Sequence, residues 1–357
     1  MIDTDLLLKT LRVDGLLVSN FFNILYTTGF QSLSPTEREA YVLLTKKGIY
    51  LITDGRYISP SSKHLFYEQL LVDPKHPAFF HIESVCKKDA VTTLGVESDS
   101  LTWREVVSLQ KLSLSLSPLV RPFDVIRQTK REDELEAIQE ACLIGDRALK
   151  ELIPHIQVGK TEQEIAWTLE KIIREKYRAE IAFDPMVAID ANAAIPHYDT
   201  KKGKGIVKND SLTLIDFGVK WKNYNSDMTR MIVGKSPATE IQNAYHSLQK
   251  VQMDTKKKIQ KEKNWGEVDT FCRNSLIKKG YPSFPHSTGH GVGLEVHESP
   301  RINMRFTDRK QAGQVCTIEP GIYLSGKWGM RLEDTIYITS AGEAVELTQF
   351  PRDLIPV

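Results

Sequence analysis

Histidine is scarce in this sequence, nine in 357 residues, yet three fall within twelve positions, at His286, His290 and His297. Gly289, Gly291 and Gly293 run through the same stretch, and a residue without Cβ lets the backbone come close to whatever the imidazoles touch. Val292, Leu294 and Val296 alternate with them in the pattern of a buried strand. Carboxylates are placed as unusually. Asp216 stands in an apolar run over 212–220, between Ile215 and Phe217, where an unpartnered acid is costly to bury. Eleven positions later comes Asp227, just before the strand-like Met231-Ile232-Val233, so that a hairpin can set the two acids face to face. Taken alone, that pair is also accounted for by Asp227 as a turn residue and Asp216 as a partner of Arg230. Period-two alternation puts Glu319 on the face of Val315 and Thr317, and Glu333 on the face of Arg331 and Thr335. Four carboxylates gathered inside a domain repel one another and lose hydration, which polyvalent cations reverse. Asp216, Asp227, His290, Glu319 and Glu333 thus form a candidate set of four oxygen ligands and one nitrogen ligand, with no thiolate. Such donors suit Mn²⁺, Co²⁺ or Zn²⁺. They exceed what a single catalytic zinc needs, and bridging carboxylates would hold two ions roughly 3.5–4 Å apart.

The elements that must carry these residues can be read around them. After Met186 the chain is strand-rich, broken by a long polar helix from Thr239 to Lys263 whose Lys256-Lys257-Lys258 run reads as a solvated face. Upstream, Thr161 to Glu164 is a capping box that opens an amphipathic helix carrying Ile165, Leu169, Ile172 and Ile173. Thr129 to Glu132 is read as another, opening a longer helix with Leu135, Ile138, Cys142 and Leu149 on its apolar side. The pattern changes just before it, which predicts domains of 1–125 and 126–357. Within the first, 15–18, 41–45, 49–53 and 94–97 read as strands, with a hairpin turning at Lys46-Lys47-Gly48. The Leu/Ser alternation over 112–119 is a local oddity rather than low complexity. The expected fold class is mixed α/β (α+β).

A chain of 357 residues is two to three times a typical domain and fits a two-domain enzyme better than a small binding module. Lys plus Arg (47) balance Asp plus Glu (46), which argues against nucleic acid or an acidic membrane as the main partner. No apolar run approaches the roughly 20 residues of a bilayer helix, and Met1 to Arg12 lacks the marks of a signal peptide. Cys86, Cys142, Cys272 and Cys316 are dispersed, as buried free thiols in a reducing compartment would be. A cytoplasmic protein is expected.

Several strings together resemble the pita-bread metallopeptidases. They are Asp216 with Asp227 in Ser226-Asp227-Met228-Thr229-Arg230, the segment from His286 to Pro300, Thr317-Ile318-Glu319-Pro320-Gly321-Ile322-Tyr323, and Arg331-Leu332-Glu333-Asp334. Within that family they are similar to the Xaa-Pro peptidases, aminopeptidase P and prolidase. Asn23 to Phe30 and Leu51 to Tyr57 look like the creatinase-type N-terminal domain of those enzymes, so the resemblance spans essentially the whole chain. It implies that Asp216 chelates one metal, that Asp227 and Glu333 bridge two, and that His290 and Glu319 complete the second. The metals, Mn²⁺ foremost, would supply a bridging water or hydroxide as nucleophile, with Glu319 moving the proton. His197 and His297 match histidines that hydrogen-bond the substrate carbonyl and the tetrahedral oxyanion. His286 matches a position that shapes the proline pocket, with a loop-capping role as the alternative. Arg331, Thr229, Thr335 and Tyr224 would orient the ligands. Short proline-containing peptides are the implied substrates and a homodimer the implied assembly.

Departures fall beside the site. Asp190-Ala191-Asn192 replaces a Gly-Pro-Asn common in relatives, Tyr198-Asp199-Thr200-Lys201-Lys202 lacks the usual proline after the histidine, and Gln311-Ala312-Gly313-Gln314-Val315 replaces a common Pro-Gly-Met. Prolidase and aminopeptidase P stay open at this point. A prolidase needs a cation for the free carboxylate of proline, and Arg305 or Arg309 is a candidate, unless both are surface arginines. A metal-free peptide-binding module, a creatinase-like hydrolase and a methionine aminopeptidase-like enzyme are the competing functions. Metal analysis with an Xaa-Pro assay separates them.

Overall fold

β-Branched and leucine runs bounded by turn residues become the strands here. The computed structural model describes residues 2–34, 36–57, 66–235, 237–307 and 309–357, and divides into Met1–Val125 and Ile126–Val357. The first unit runs α1 (Thr4–Leu11), β1 (Gly15–Val18), α2 (Phe21–Thr28), β2 (Ala40–Thr45), β3 (Gly48–Asp54), β4 (Glu68–Val72), α3 (Ala78–Lys88), β5 (Thr93–Glu97), α4 (Trp103–Leu109) and β6 (Ser115–Leu119). Its sheet has the order β4-β3-β2-β1-β5-β6, with β2 and β3 forming the expected hairpin. The Leu/Ser alternation has become the edge strand β6, parallel to β5, with Leu116 packed against a core of Leu17, Leu43, Ile52, Ile82 and Leu94. Asn23, on the string that resembles the creatinase type, donates to buried Glu97, which also accepts from the backbone of Ser19 and Asn20 at the start of α2. A carboxylate there complements the positive end of the helix.

A single turn, α5 (Asp124–Arg127), precedes the second unit's α6 (Glu132–Leu152) and α7 (Glu162–Lys171). Then come β7 (Glu180–Ile181), β8 (Met186–Ile189), β9 (Leu212–Phe217), β10 (Val219–Trp221), β11 (Tyr224–Asn225), β12 (Met228–Val233), α8 (Thr239–Ile259) and α9 (Trp265–Ile277). The rest is β13 (Gly289–Gly291), β14 (Glu298–Ile302), β15 (Val315–Ile318), β16 (Gly321–Leu324), β17 (Trp328–Arg331), β18 (Asp334–Ile338), β19 (Ala344–Glu346) and β20 (Ile355–Pro356). The larger sheets have the orders β20-β12-β9-β8 and β14-β13-β15-β18-β19. Strand β9 shows why Asp216 ends where it does. Ile215 and Phe217 join a core with Leu149 and Leu169 of α6 and α7, while Leu212 and Leu214 join a second core with Met231, Leu248 and Met330. Alternation puts Asp216 on the second face, opposite Thr229 of β12 in the ladder.

Three expectations need correction. Thr129 does not cap α6: it forms a β-bridge to Gln314, and the cap is Arg131, whose N–H donates to Glu134 at 2.8 Å. Lys256 is not solvated. It is buried on the inner face of α8, with Nζ 2.9 Å from Asp334 and 2.7 Å from Glu346. Asp334 also meets Arg230 at 2.7 Å and Arg352 at 2.6 Å, and these charges outweigh burial and hold its carboxyl far below the usual range. Arg230 is thereby the partner of Asp334 and not of Asp216. Removing one member of such a buried network costs about 3–5 kcal/mol. Lastly, 292–296 is irregular, with bends from Gly293 onward, and not a strand. Glu298 fixes it, accepting from Arg127 and Lys130 at 2.6 Å each and from the N–H of Glu295 at 3.2 Å. Among the described residues no helix is long and apolar enough to cross a membrane.

Candidate metal centre and active site

Five segments of the second unit deliver side chains to one place. Asp216 comes from β9 and Asp227 from the residue before β12; His290 is central in β13; Glu319 lies one residue beyond β15 and Glu333 in the two-residue link between β17 and β18. The glutamates therefore project from strand ends rather than mid-strand, because Glu319 N–H is taken by the Thr288 carbonyl and Glu333 N–H by that of Thr229. Ligand atoms of Asp216, Asp227 and Glu333 lie within 4.8 Å of one another, as do those of His290, Glu319 and Glu333, and those of Asp227, His290 and His297. Nε2 of His290 is 3.4 Å from Glu319 and 3.6 Å from Asp227. A Cβ on Gly289 would overlap the Thr317 carbonyl, and one on Gly291 that of Ser299, so glycine is what lets β13 pass with His290 in place.

Electrostatics gives the test of whether cations belong here. Burial and then the neighbouring carboxylates push Asp227 and Glu319 well above the usual carboxylate range, and Glu333 up to about 7. Burial, with the charge of neighbouring His297, drives His290 down to about 3, so its imidazole is neutral and free to ligate. Oδ1 of Asp216 and Oδ1 of Asp227 are buried without a hydrogen-bond partner. Bare, mutually repelling oxygens beside a neutral imidazole fit a pair of divalent cations, and with no thiolate the set favours hard or borderline ions.

The residues expected to orient the ligands are arranged around them. Arg331 donates to Asp216 at 2.5 Å and to the Thr229 hydroxyl at 3.0 Å, and that hydroxyl donates to Glu333 at 2.6 Å. Thr335 Oγ1 donates to the Asp227 carbonyl at 2.7 Å and accepts from its N–H at 3.3 Å. Tyr224 instead donates to Glu134 of α6, at 2.8 Å. A cavity of about 740 Å³ opens over the cluster, lined among others by His197, His286, His297, Phe183, Met186, Val296 and Arg301. His297 stands edge-on to His290, ring centroids 4.3 Å apart. His286 bonds Tyr323 at 2.9 Å and the Ser287 carbonyl at 2.8 Å, so it is both a cavity wall and a loop anchor.

Arg305 and Arg309 are exposed and outside this lining. Arg305 sits in the turn after β14, and Arg309 bridges to Asn264. Two arginines line the cavity: Arg331, which is engaged with Asp216, and Arg301, paired with His290 across the β13–β14 ladder. The place of Arg301 follows from the pairing of β14 with β13, which its own stretch of sequence does not show. Tyr323, which also contacts Arg331 at 3.1 Å, ends the Thr317–Tyr323 string, and nothing in that string marks it as part of the site.

Residues 136–340 match the metallopeptidase family M24, and residues 5–129 match the creatinase/prolidase N-terminal domain. The chain belongs to the metallopeptidase family M24. It is 33% identical over 350 residues to an Xaa-Pro dipeptidase of Pyrococcus horikoshii, covering 96% of this chain and 95% of that one. Among solved structures it resembles an Xaa-Pro dipeptidase from Bacillus anthracis, with TM-score 0.90, 28% identity and 99% of each chain covered. It also resembles an X-Pro aminopeptidase from Thermotoga maritima, with TM-score 0.86, 28% identity, and 99% of this chain and all (100%) of that one covered. The architecture is thus a creatinase-type N-terminal domain followed by a pita-bread metallopeptidase domain, as expected from the sequence.

Proposed function

We propose that this M24 enzyme is a metallo-exopeptidase that hydrolyses the bond between an N-terminal residue and proline, with Xaa-Pro dipeptides as its preferred substrates. The observation that carries the reading is the buried carboxylate–histidine cluster opening into a cavity that also presents Arg301. Asp216, Asp227, His290, Glu319 and Glu333 would hold two divalent cations, Mn²⁺ foremost with Co²⁺ or Zn²⁺ as substitutes. When bound, these lower the pKa of water to give a nucleophile near neutral pH and polarise the scissile carbonyl. Glu319 accepts the proton of the attacking water and returns it to the proline nitrogen as that leaves. His197 and His297 donate to the carbonyl oxygen as it gains charge. Proline offers no N–H and a fixed φ, so its ring is recognised by shape, against the wall containing His286, while Phe183, Met186 and Val296 give the cavity apolar surface.

Relatives bear both the dipeptidase and the aminopeptidase name, so the far end of the substrate decides between them. Arg301 binds the free carboxylate of proline. A charge-assisted bond of this kind contributes about 1.5–3 kcal/mol, and Arg301→Ala should therefore lower dipeptide kcat/KM by about ten- to a hundredfold while sparing Xaa-Pro-Xaa. Wild type preferring the tripeptide, or Arg301→Ala cleaving the dipeptide normally, would make the protein an Xaa-Pro aminopeptidase.

Residues 1–125 and 126–357 act as separate folding domains, with every residue assigned to the reaction in the second. The working assembly is a homodimer built through the first, in a reducing cytoplasmic setting where the buried cysteines stay unpaired. Sedimentation at micromolar concentration should give twice the chain mass of 40.5 kDa; a monomer alone removes the assembly.

A further inference from the structure

Between β8 and β9 the chain runs through 190–205 without a strand, carrying His197 along the edge of the cavity. One carboxylate holds this segment. Glu162, in the first turn of α7, is fully buried and accepts from the N–H groups of Ile189 (2.7 Å) and Gly205 (2.9 Å), from Nδ2 of Asn192 (2.9 Å) and from the Tyr198 hydroxyl (2.8 Å). A carboxylate offers about four lone-pair sites, so its capacity is filled by this segment together with the last residue of β8. Gly203 and Gly205 pass so close that a Cβ on either would overlap the Glu162 carboxylate. From the other side, Arg331 donates to the Pro196 carbonyl at 3.2 Å while also holding Asp216. His197 thus lies between two anchors, one residue away on either side: Pro196, tied to the arginine of the metal cluster, and Tyr198, tied to Glu162.

We infer that Glu162 is a positioning residue for His197, acting through Tyr198 and Asn192 and touching no substrate. The inference rests on the part proposed above for His197 in binding the developing oxyanion. A donor aimed at that oxygen loses most of its effect when displaced by about 1 Å, a shift that can cost a hundredfold in rate. Glutamine at 162 would turn two acceptor sites into an NH₂ group facing donors, and phenylalanine at 198 would remove one anchor.

The test measures Xaa-Pro hydrolysis by the metal-loaded chain carrying Tyr198→Phe or Glu162→Gln, each alone and combined with His197→Ala. It is paired with ¹³C-edited histidine NMR of the Zn²⁺-loaded protein, the His197 signal being assigned by its loss in His197→Ala. Each variant alone should lower kcat about tenfold or more with KM within about twofold. In the His197→Ala background neither should cost more than about twofold further. The His197 resonance should shift or broaden while those of exposed His155 and His246 stay put. An equal loss in both backgrounds, or an unmoved His197 resonance, overturns the inference. If Glu162→Gln does not fold, Tyr198→Phe and Asn192→Ala are held to the same criteria. If wild type fails to cleave Xaa-Pro, the proposed function falls, while the resonance still decides the positioning.

Discussion

Glu319→Gln should lower kcat by about 10²–10⁴-fold, the usual worth of a positioned proton-transfer group. The substitution is nearly isosteric and keeps one oxygen that can face a cation, but an amide cannot take up the proton of an attacking water. Its neighbourhood allows that exchange without wider damage. The backbone N–H of Glu319 is taken by Thr288, and Oε1 is 3.4 Å from the Thr317 hydroxyl, which can donate to an amide oxygen as well as to a carboxylate. KM should stay close to wild type, since the groups proposed to hold the peptide are elsewhere in the cavity. The measurement is steady-state kinetics together with metal content. A variant that binds two equivalents of metal and works within tenfold of wild type would falsify the role given to Glu319.

Much of this site was legible because its chemistry is expensive. Burying Asp216, Asp227, Glu319 and Glu333 repels charge and strips water, so acids set among apolar residues stand out wherever the strands run. What alternation could not supply was the placement of residues at breaks in regular structure. Alternation puts Glu319 and Glu333 on strand faces, whereas they stand at strand ends, and Arg301 reaches the cavity through the pairing of β14 with β13. Long-range partners were equally out of reach. Lys256 looked like one of three solvated lysines because its partners, Asp334 and Glu346, lie 78 and 90 positions away. Glu162 is part of a helix-start signal in sequence, and only the folded chain shows that it gathers Ile189, Asn192, Tyr198 and Gly205. In the first unit, local signals sufficed for the β2–β3 hairpin, whereas the parallel pairing of β6 with β5 was not written in its own residues.

Stripping the metals should abolish activity and reverse how stability depends on pH. Chelation removes the source of the nucleophile, and Mn²⁺ or Co²⁺ should restore turnover best, given the oxygen-rich donors. Full activity in metal-free protein would sink the mechanism. The pH effect follows from linkage. Asp227, Glu319 and Glu333 have folded-state pKa values raised by burial and mutual repulsion, Glu333 to about 7. A raised carboxyl contributes stability that is complete below its unfolded value and is lost as pH climbs through the folded one. His286 and His290 act in the opposite sense, since burial lowers both to about 3. Their contribution grows only until the unfolded histidine pKa of about 6.5 is passed. Between pH 6.5 and 8 the histidines have little left to add, a few tenths of a kcal/mol each with RT about 0.6 kcal/mol, and the carboxylates dominate, so the Tm of metal-free protein should fall across that interval. Metal-loaded protein should show a flat or rising Tm, because cations bind the deprotonated ligands and tighten as protons leave. The buried thiols, raised by desolvation, are the same in both forms and cancel in the comparison. A metal-free Tm that rises from pH 6.5 to 8 would mean that the cluster already carries its full negative charge without cations, and the electrostatic case for their binding there would fail.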